Sequence, residues 1–304
     1  MQYCYNFALF IQSWSIFLAL LTKCVSFAIL NIFLFMDVLS YFHLNEHPFR
    51  IGPDPRFLYL SDQVKEALAK CEYMARERIG PIYIYGPIGS GKTSTIRRLH
   101  ERLSNEERYN LALLISPNLK SPNSFLRLIM DTFEVKTERA YDQSLKNFDT
   151  FLTEQYKAGK TPLLLVDEAQ NMNRETLKLV HYLLNFETAT VKLLQIILVG
   201  QEELAAKIVR YRELASRMFP VAISPMSVLE LQNMIEFRWM VAGGKHEPPF
   251  DEESYKVLFT YSKGLPRDAV KICDEALRDL VVKQQAKTSA TEIEAIAKEL
   301  NLKA

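Results

Sequence analysis

The feature that most constrains this 304-residue chain is Gly86-Pro87-Ile88-Gly89-Ser90-Gly91-Lys92-Thr93, a G-x-x-x-x-G-K-T string. It follows the apolar run Ile82 to Tyr85, which reads as a buried strand after Gly80-Pro81, and it opens a helical pattern carried by Ile96, Leu99 and Leu103. Strand before and helix after is the context this motif requires. Glycines let the backbone wrap a phosphate chain with its N–H groups converging. Lys92 then reaches the β and γ phosphates, and the Thr93 hydroxyl is placed to ligate Mg²⁺ at the helix N-terminus.

A second string supports the first. After Gly159-Lys160-Thr161-Pro162, the run Leu163 to Val166 reads as another fully buried strand, and it ends in Asp167-Glu168. Parallel strands gather their carboxyl ends along one edge, which predicts Asp167 beside Thr93 and the metal, with Glu168 one residue on to polarise a water. Two carboxylates closing a charge-free strand are costly unless they serve a cation or a substrate.

Further apolar runs at Leu111–Ile115, Leu193–Val199 and Phe219–Ile223 alternate with amphipathic stretches at Ser124–Phe133, Ser144–Tyr156 and Asn173–Phe186. This alternation predicts an α/β unit with a five-stranded parallel sheet sandwiched by helices. Beyond Pro225 the pattern is helical only, with stretches at Ser227–Ala242, Asp251–Ser262, Pro266–Lys283 and Ser289–Leu300. Two open with capping boxes, Ser227-x-x-Glu230 and Ser289-x-x-Glu292. The expected organisation is a hydrophobic leader over 1–35, a nucleotide-binding domain over 36–224 and an all-α lid over 225–304. The stretch Gly243 to Pro249 reads as a flexible joint.

Composition excludes a disordered or disulfide-stapled chain: 48% of residues are hydrophobic, and the 4 Cys include no C-x-x-C pair. None of the 5 His completes a metal-ligand spacing, so reduced thiols in a cytoplasmic protein are expected. The net charge of +1 is Lys23 alone, since residues 1–35 contain no other charged side chain. No polybasic field therefore draws the monomer to nucleic acid or to anionic membrane. The apolar stretch 7–35 is long enough to span a bilayer, but Lys23 interrupts it and no cleavage site follows. Three readings stand for it: translation starting at Met36, a membrane anchor, or a buried helix.

From about Leu39 to Leu280 the chain resembles the AAA+ ATPases grouped with the ExeA/GspA secretion ATPases and the TnsC/TniB/MuB transposition regulators. The resemblance is carried by Asn45 to Phe49, Pro53 to Tyr59, the Gly-rich loop, Leu165 to Asn171 with its D-E-A-Q, Leu198 to Leu204 with its V-G-Q, Ser216-Arg217-Met218, and Gly264-Leu265-Pro266-Arg267. It implies an AAA+ ATPase using ATP and Mg²⁺, with Gln201 at the sensor 1 position and Arg267 at sensor 2. Arg217 is the implied arginine finger, with Arg210 and Arg212 as competitors, and a finger acting in trans implies a homo-oligomeric ring or filament. Within Pro48–Tyr59, Ile51 or Phe57 is expected at the adenine.

Two functions follow from the resemblance. The first is a TnsC/TniB-like DNA transposition regulator assembling with ATP on duplex DNA, with a transposase and a TniQ-like protein as partners. Lys120, and then Lys146, are its expected phosphate contacts. A chain closing with its lid at Ala304 fits that group. The alternative is an ExeA/GspA-like secretion or envelope-assembly ATPase, whose known members continue into a membrane span and a peptidoglycan-binding module.

Overall fold

The computed structural model describes residues 37–52, 54–115 and 121–304. The leader 7–35 and Lys120 lie outside the described residues. In chain order the first elements are α1 (Val38–Phe42), α2 (Asp62–Glu77), β1 (Ile82–Tyr85), α3 (Lys92–Leu103) and β2 (Tyr109–Leu114). Next come α4 (Pro122–Thr132), α5 (Tyr141–Lys157), β3 (Thr161–Val166), α6 (Arg174–Leu183), β4 (Gln195–Gly200), α7 (Glu202–Arg210), α8 (Arg212–Ala215) and β5 (Phe219–Ala222). The helical end comprises α9 (Val228–Val241), α10 (Glu252–Ser262), α11 (Pro266–Lys283) and α12 (Ala290–Glu299).

The five strands form one parallel sheet in the order β2-β3-β4-β1-β5. All six residues of β3 and all six of β4 are buried, which is why both read as continuous apolar runs. Alternate side chains divide the core. Ala112, Leu114, Leu164, Val166, Ile196 and Leu198 pack under α4, α5, α6 and α7. Leu163, Leu165, Ile197, Val199, Ile82 and Ile84 pack under α2 and α3. The sheet is therefore covered on both faces, as its sequence pattern requires.

The four helices of the carboxyl-terminal unit share a separate core that includes Leu231, Ile235, Trp239, Leu258, Ile272, Leu277 and Ile293. Both expected capping boxes close: the Ser227 and Ser289 hydroxyls accept the N3 amides, and the Glu230 and Glu292 carboxylates return to the cap amides.

The amino-terminal strap joins this helical core. Val38, Leu44, Phe49 and Phe57 are buried in it, and the Phe49 ring centroid lies 6.2 Å from that of Phe250. Phe57 is thus a core side chain and not an adenine contact, because its ring is committed to the helices and capped by the Arg238 guanidinium 5.0 Å from its centroid. Side chains from either side of the expected boundary at residue 225 therefore build one helical unit.

The expected joint at Gly243 is also held in place. The Asn45 backbone N–H donates to the Ala242 carbonyl at 2.8 Å, and the Trp239 indole donates to the His246 carbonyl at 2.8 Å. Gly243 has φ +92, and its Cα faces the Asn45 side chain closely enough that a Cβ would come within 2.4 Å of it.

Cys71 and Cys273 are buried free thiols, and burial pushes the Cys71 thiol up to about 12. Among the described residues, no helix is long and apolar enough to cross a membrane.

Phe49 is fully buried and ties the strap to the lid. Phe49→Ala is expected to cost about 3–5 kcal/mol. Urea unfolding of the full chain should show this as a lower midpoint.

Candidate functional site

Three strands deliver the site because β3, β4 and β1 are neighbours and parallel. Their carboxyl ends emit Asp167-Glu168, Gln201 and the Gly86–Thr93 loop along a single edge. A cleft of about 500 Å³ opens there. Its walls include Ile88, Gly89, Gly91, Lys92, Thr93, Glu168 and Gln201 from the sheet unit, and Pro266, Arg267 and Val270 from α11. The strap closes it with Arg50, Ile51 and Gly52, so of the two expected adenine contacts Ile51 is the one that reaches the cleft.

The Gly-rich loop is shaped by close approach. A Cβ on Gly86 would sit 2.1 Å from the Ile223 carbonyl oxygen. Gly91 has φ +94 and forms the N-cap of α3 without a side-chain cap, so the first α3 amides have no competing side-chain acceptor. Lys92 is 8% exposed, and its Nζ donates to the Gly86 carbonyl at 3.0 Å, the Pro87 carbonyl at 2.7 Å and Ser90 Oγ at 3.4 Å. Burial pulls this ammonium below the usual lysine range, and the nearby Asp167 and Glu168 carboxylates oppose that shift. A buried cation in a cradle of amides and carbonyls is suited to an anion.

Thr93 Oγ1 donates to Asp167 Oδ2 at 2.7 Å, and Asp167 Oδ1 accepts the Glu168 amide at 2.9 Å. A hydroxyl and a carboxylate are hard oxygen donors of the kind Mg²⁺ prefers. Among the described residues no group of three His, Cys, Asp or Glu could hold a metal. The pair therefore fits a cation that takes its remaining ligands from phosphate and water.

Three features of the site carried no role in the sequence reading. Gln170, the last residue of D-E-A-Q, donates from Nε2 to Glu168 Oε2 at 2.5 Å and accepts the Gln201 amide on Oε1 at 3.2 Å. Lys207 on α7 donates to the Gln170 and Met172 carbonyls at 2.5 and 2.9 Å. Arg238 on α9 donates to the Pro48, Phe57 and Arg50 carbonyls at 2.8, 3.3 and 3.0 Å, so a lid helix holds the strap that carries Ile51. Burial pulls the Arg238 guanidinium down to about 10. Only a residue's place within an identified motif hinted at Gln170. Nothing in the sequence marked Arg238, whose partners are backbone carbonyls 181 to 190 residues away.

The lid also meets the loop directly, where the Arg267 amide donates to the Gly89 carbonyl at 3.2 Å. A Cβ on Gly89 would touch the Arg267 side chain at 3.0 Å.

Arg217 is outside the cleft. It precedes β5, whose first residue pairs with the first residue of β1, so it stands at the opposite end of the sheet with its guanidinium on Asn185 Oδ1 at 2.5 Å. Arg210 lines a separate recess of about 390 Å³ with Arg174 and Lys207, and Arg212 opens the short α8. Lys146 is an exposed side chain on α5, also away from the cleft.

Residues 75–208 match the AAA domain family. The General secretion pathway protein A of Aeromonas hydrophila is 35% identical over 245 residues, which are 78% of this chain and 44% of that protein. The chain thus spans less than half the length of that relative. Solved structures share the architecture. Cdc6p from Pyrobaculum aerophilum has a TM-score of 0.62 at 14% identity, covering 83% of this chain and 70% of its own. The ORC2 protein of Aeropyrum pernix, in ADPNP and ADP complexes, has a TM-score of 0.61 at 16% identity, covering 84% and 72%. The RuvB branch migration motor of Thermotoga maritima has a TM-score of 0.55 at 16% identity, covering 84% and 74%. The chain has the P-loop AAA+ fold, an α/β sheet unit followed by a helical lid, with an AAA domain at residues 75–208.

The Arg238 guanidinium reaches three strap carbonyls from three separate nitrogens, Nε, Nη1 and Nη2, a spread that the single nitrogen of a lysine does not reproduce. Arg238→Lys is expected to weaken binding of a fluorescent ATP analogue by about tenfold, or about 1.4 kcal/mol, in an equilibrium titration.

Proposed function

We propose that this chain is an ATP-hydrolysing AAA+ protein of the ExeA/GspA type, serving secretion or envelope assembly. The 35% identity to General secretion pathway protein A across 78% of the chain carries this reading and ranks it above the transposition regulator. The transposition reading, with its transposase and TniQ-like partners, rests on the sequence resemblance alone. Contact with duplex DNA has one further support, a Drosophila ORC structure bound to DNA that shares the fold at a TM-score of 0.61 and 18% identity. For such contact Lys146 would offer an exposed cation on α5.

The chemistry follows from the cleft. The loop amides and Lys92 bind the phosphate chain, and Thr93 with Asp167 holds Mg²⁺, which when bound neutralises charge on the transferred phosphoryl group. Glu168 lines the cleft one residue beyond Asp167, placed to accept a proton from the attacking water. The water oxygen bonds to the γ phosphorus as the bond to the β–γ bridging oxygen breaks, giving ADP and phosphate. Gln201 aligns the water, and Arg267 reports the γ phosphate to the lid. Arg217 faces away from its own cleft, so it would act on the nucleotide of a neighbouring copy, which makes the working unit an oligomer.

Glu168→Gln is expected to lower the steady-state ATPase rate by about 10²–10³-fold while keeping ATP affinity. Lys92→Met should lose ATP binding itself, read by the same titration. In the cell of origin, a Glu168→Gln strain should retain normally exported proteins. Unchanged export together with altered transposition frequency would reverse the ranking.

Arg217→Ala is expected to reduce turnover per subunit by about 10³-fold if the finger acts in trans. Adding subunits that carry intact Arg217 but Lys92→Met should then restore activity.

A further inference from the structure

Glu168 is the charged group on which the proposed hydrolysis depends, yet its backbone sits in the left-handed region at φ 55, ψ 31. That conformation is uncommon for a residue with a side chain and persists only where the surroundings hold it. Its amide is held by Asp167 Oδ1 at 2.9 Å, and its carboxylate is held by Gln170 Nε2 at 2.5 Å. Gln170 is 9% exposed and uses both ends of its amide, since Oε1 accepts the Gln201 N–H at 3.2 Å. The amide has only one satisfactory orientation here: a carboxylate can only accept and a backbone N–H can only donate.

Two further contacts show that this bridge is built into the fold. Lys207 Nζ binds the Gln170 and Met172 carbonyls, fixing the short turn Ala169–Asn171 from the side of α7. Gly200, the last residue of β4, leaves room for the amide; a Cβ there would lie 2.7 Å from Gln170 Oε1 and 3.0 Å from Gln170 N.

We propose that Gln170 is a positioning residue that locks the Glu168 carboxylate to the Gln201 backbone, so that the ends of β3 and β4 present base and water-aligning group as one unit. The inference rests on the reading of Glu168 as the base. Gln170 itself neither lines the cleft nor touches the phosphate loop; it acts through the two residues that do line it. Any shift of Gln201 on meeting a γ phosphate is passed through one amide to Glu168. A glutamate at position 170 would set two acceptors against each other, and an asparagine is one methylene too short to span both partners.

Gln170→Met keeps the side-chain length and volume and removes both hydrogen bonds. In the full chain, kcat is expected to fall by about 10–100-fold with ATP affinity within about twofold of the parent, the pattern of a misplaced catalytic group. Combining it with Glu168→Gln should give no further loss, because the residue being positioned is already disabled. Gln170→Glu, of the same size, provides a second variant with the same expected split. The inference is overturned if the folded variants keep kcat within about twofold, if ATP affinity falls as far as kcat/KM, or if the double variant is slower than Glu168→Gln by the full single-variant factor. Glu168→Gln retaining parental turnover would instead overturn the base assignment, and the inference with it. Glu168→Gln inactive beside a fully active Gln170→Met overturns the inference alone.

Discussion

Burial of β3 and β4 on both faces is the constraint from which the site follows. Neither strand can carry a charged side chain along its length without an uncompensated desolvation cost, so polar chemistry is confined to the strand ends. Because all five strands run parallel, those ends lie along one edge. Lys92, Thr93, Asp167, Glu168 and Gln201 come from three separate stretches of chain, and the sheet alone brings them together. The same geometry leaves Lys92 buried in carbonyls and the α3 amides without a side-chain cap, both complementary to a polyphosphate.

The cleft is completed by elements that do not belong to the sheet unit. The strap and the four helices share one apolar core, and Arg238 fastens strap carbonyls to a lid helix. The surface offered by Ile51 and the one offered by Pro266, Arg267 and Val270 therefore belong to one packed unit. The Arg267 amide, bonded to Gly89, connects that unit to the phosphate loop. A nucleotide in the cleft would touch both units, which is the arrangement needed for its γ phosphate to govern their relative position.

Arg217 is as informative by its distance as Thr93 is by its proximity. The β1 strand alone separates it from the loop, four residues at about 3.3 Å each. A guanidinium at that end of the sheet does not line its own cleft, and the proposed action of Arg217 on a neighbouring copy rests on that placement. The solved relatives share this fold, and the chain covers 44% of the General secretion pathway protein A to which it is similar.

Much of this was legible from residue patterns. Strand runs free of charge, the glycine spacing before Lys92 and the capping boxes at Ser227 and Ser289 are local properties, each set by the backbone needs of a few neighbouring residues. They determined the α/β order, the phosphate loop and the pairing of Asp167 with Thr93. What tertiary structure alone decided are contacts between polar groups far apart in the chain: Gln170 with Gln201, Lys207 with the turn after β3, Arg238 with the strap, and the commitment of Phe57 to the lid core. Such contacts leave no periodicity, because a carbonyl accepts from any donor that packing brings within reach, and which donor arrives is settled only when the sheet and the helices have closed around it.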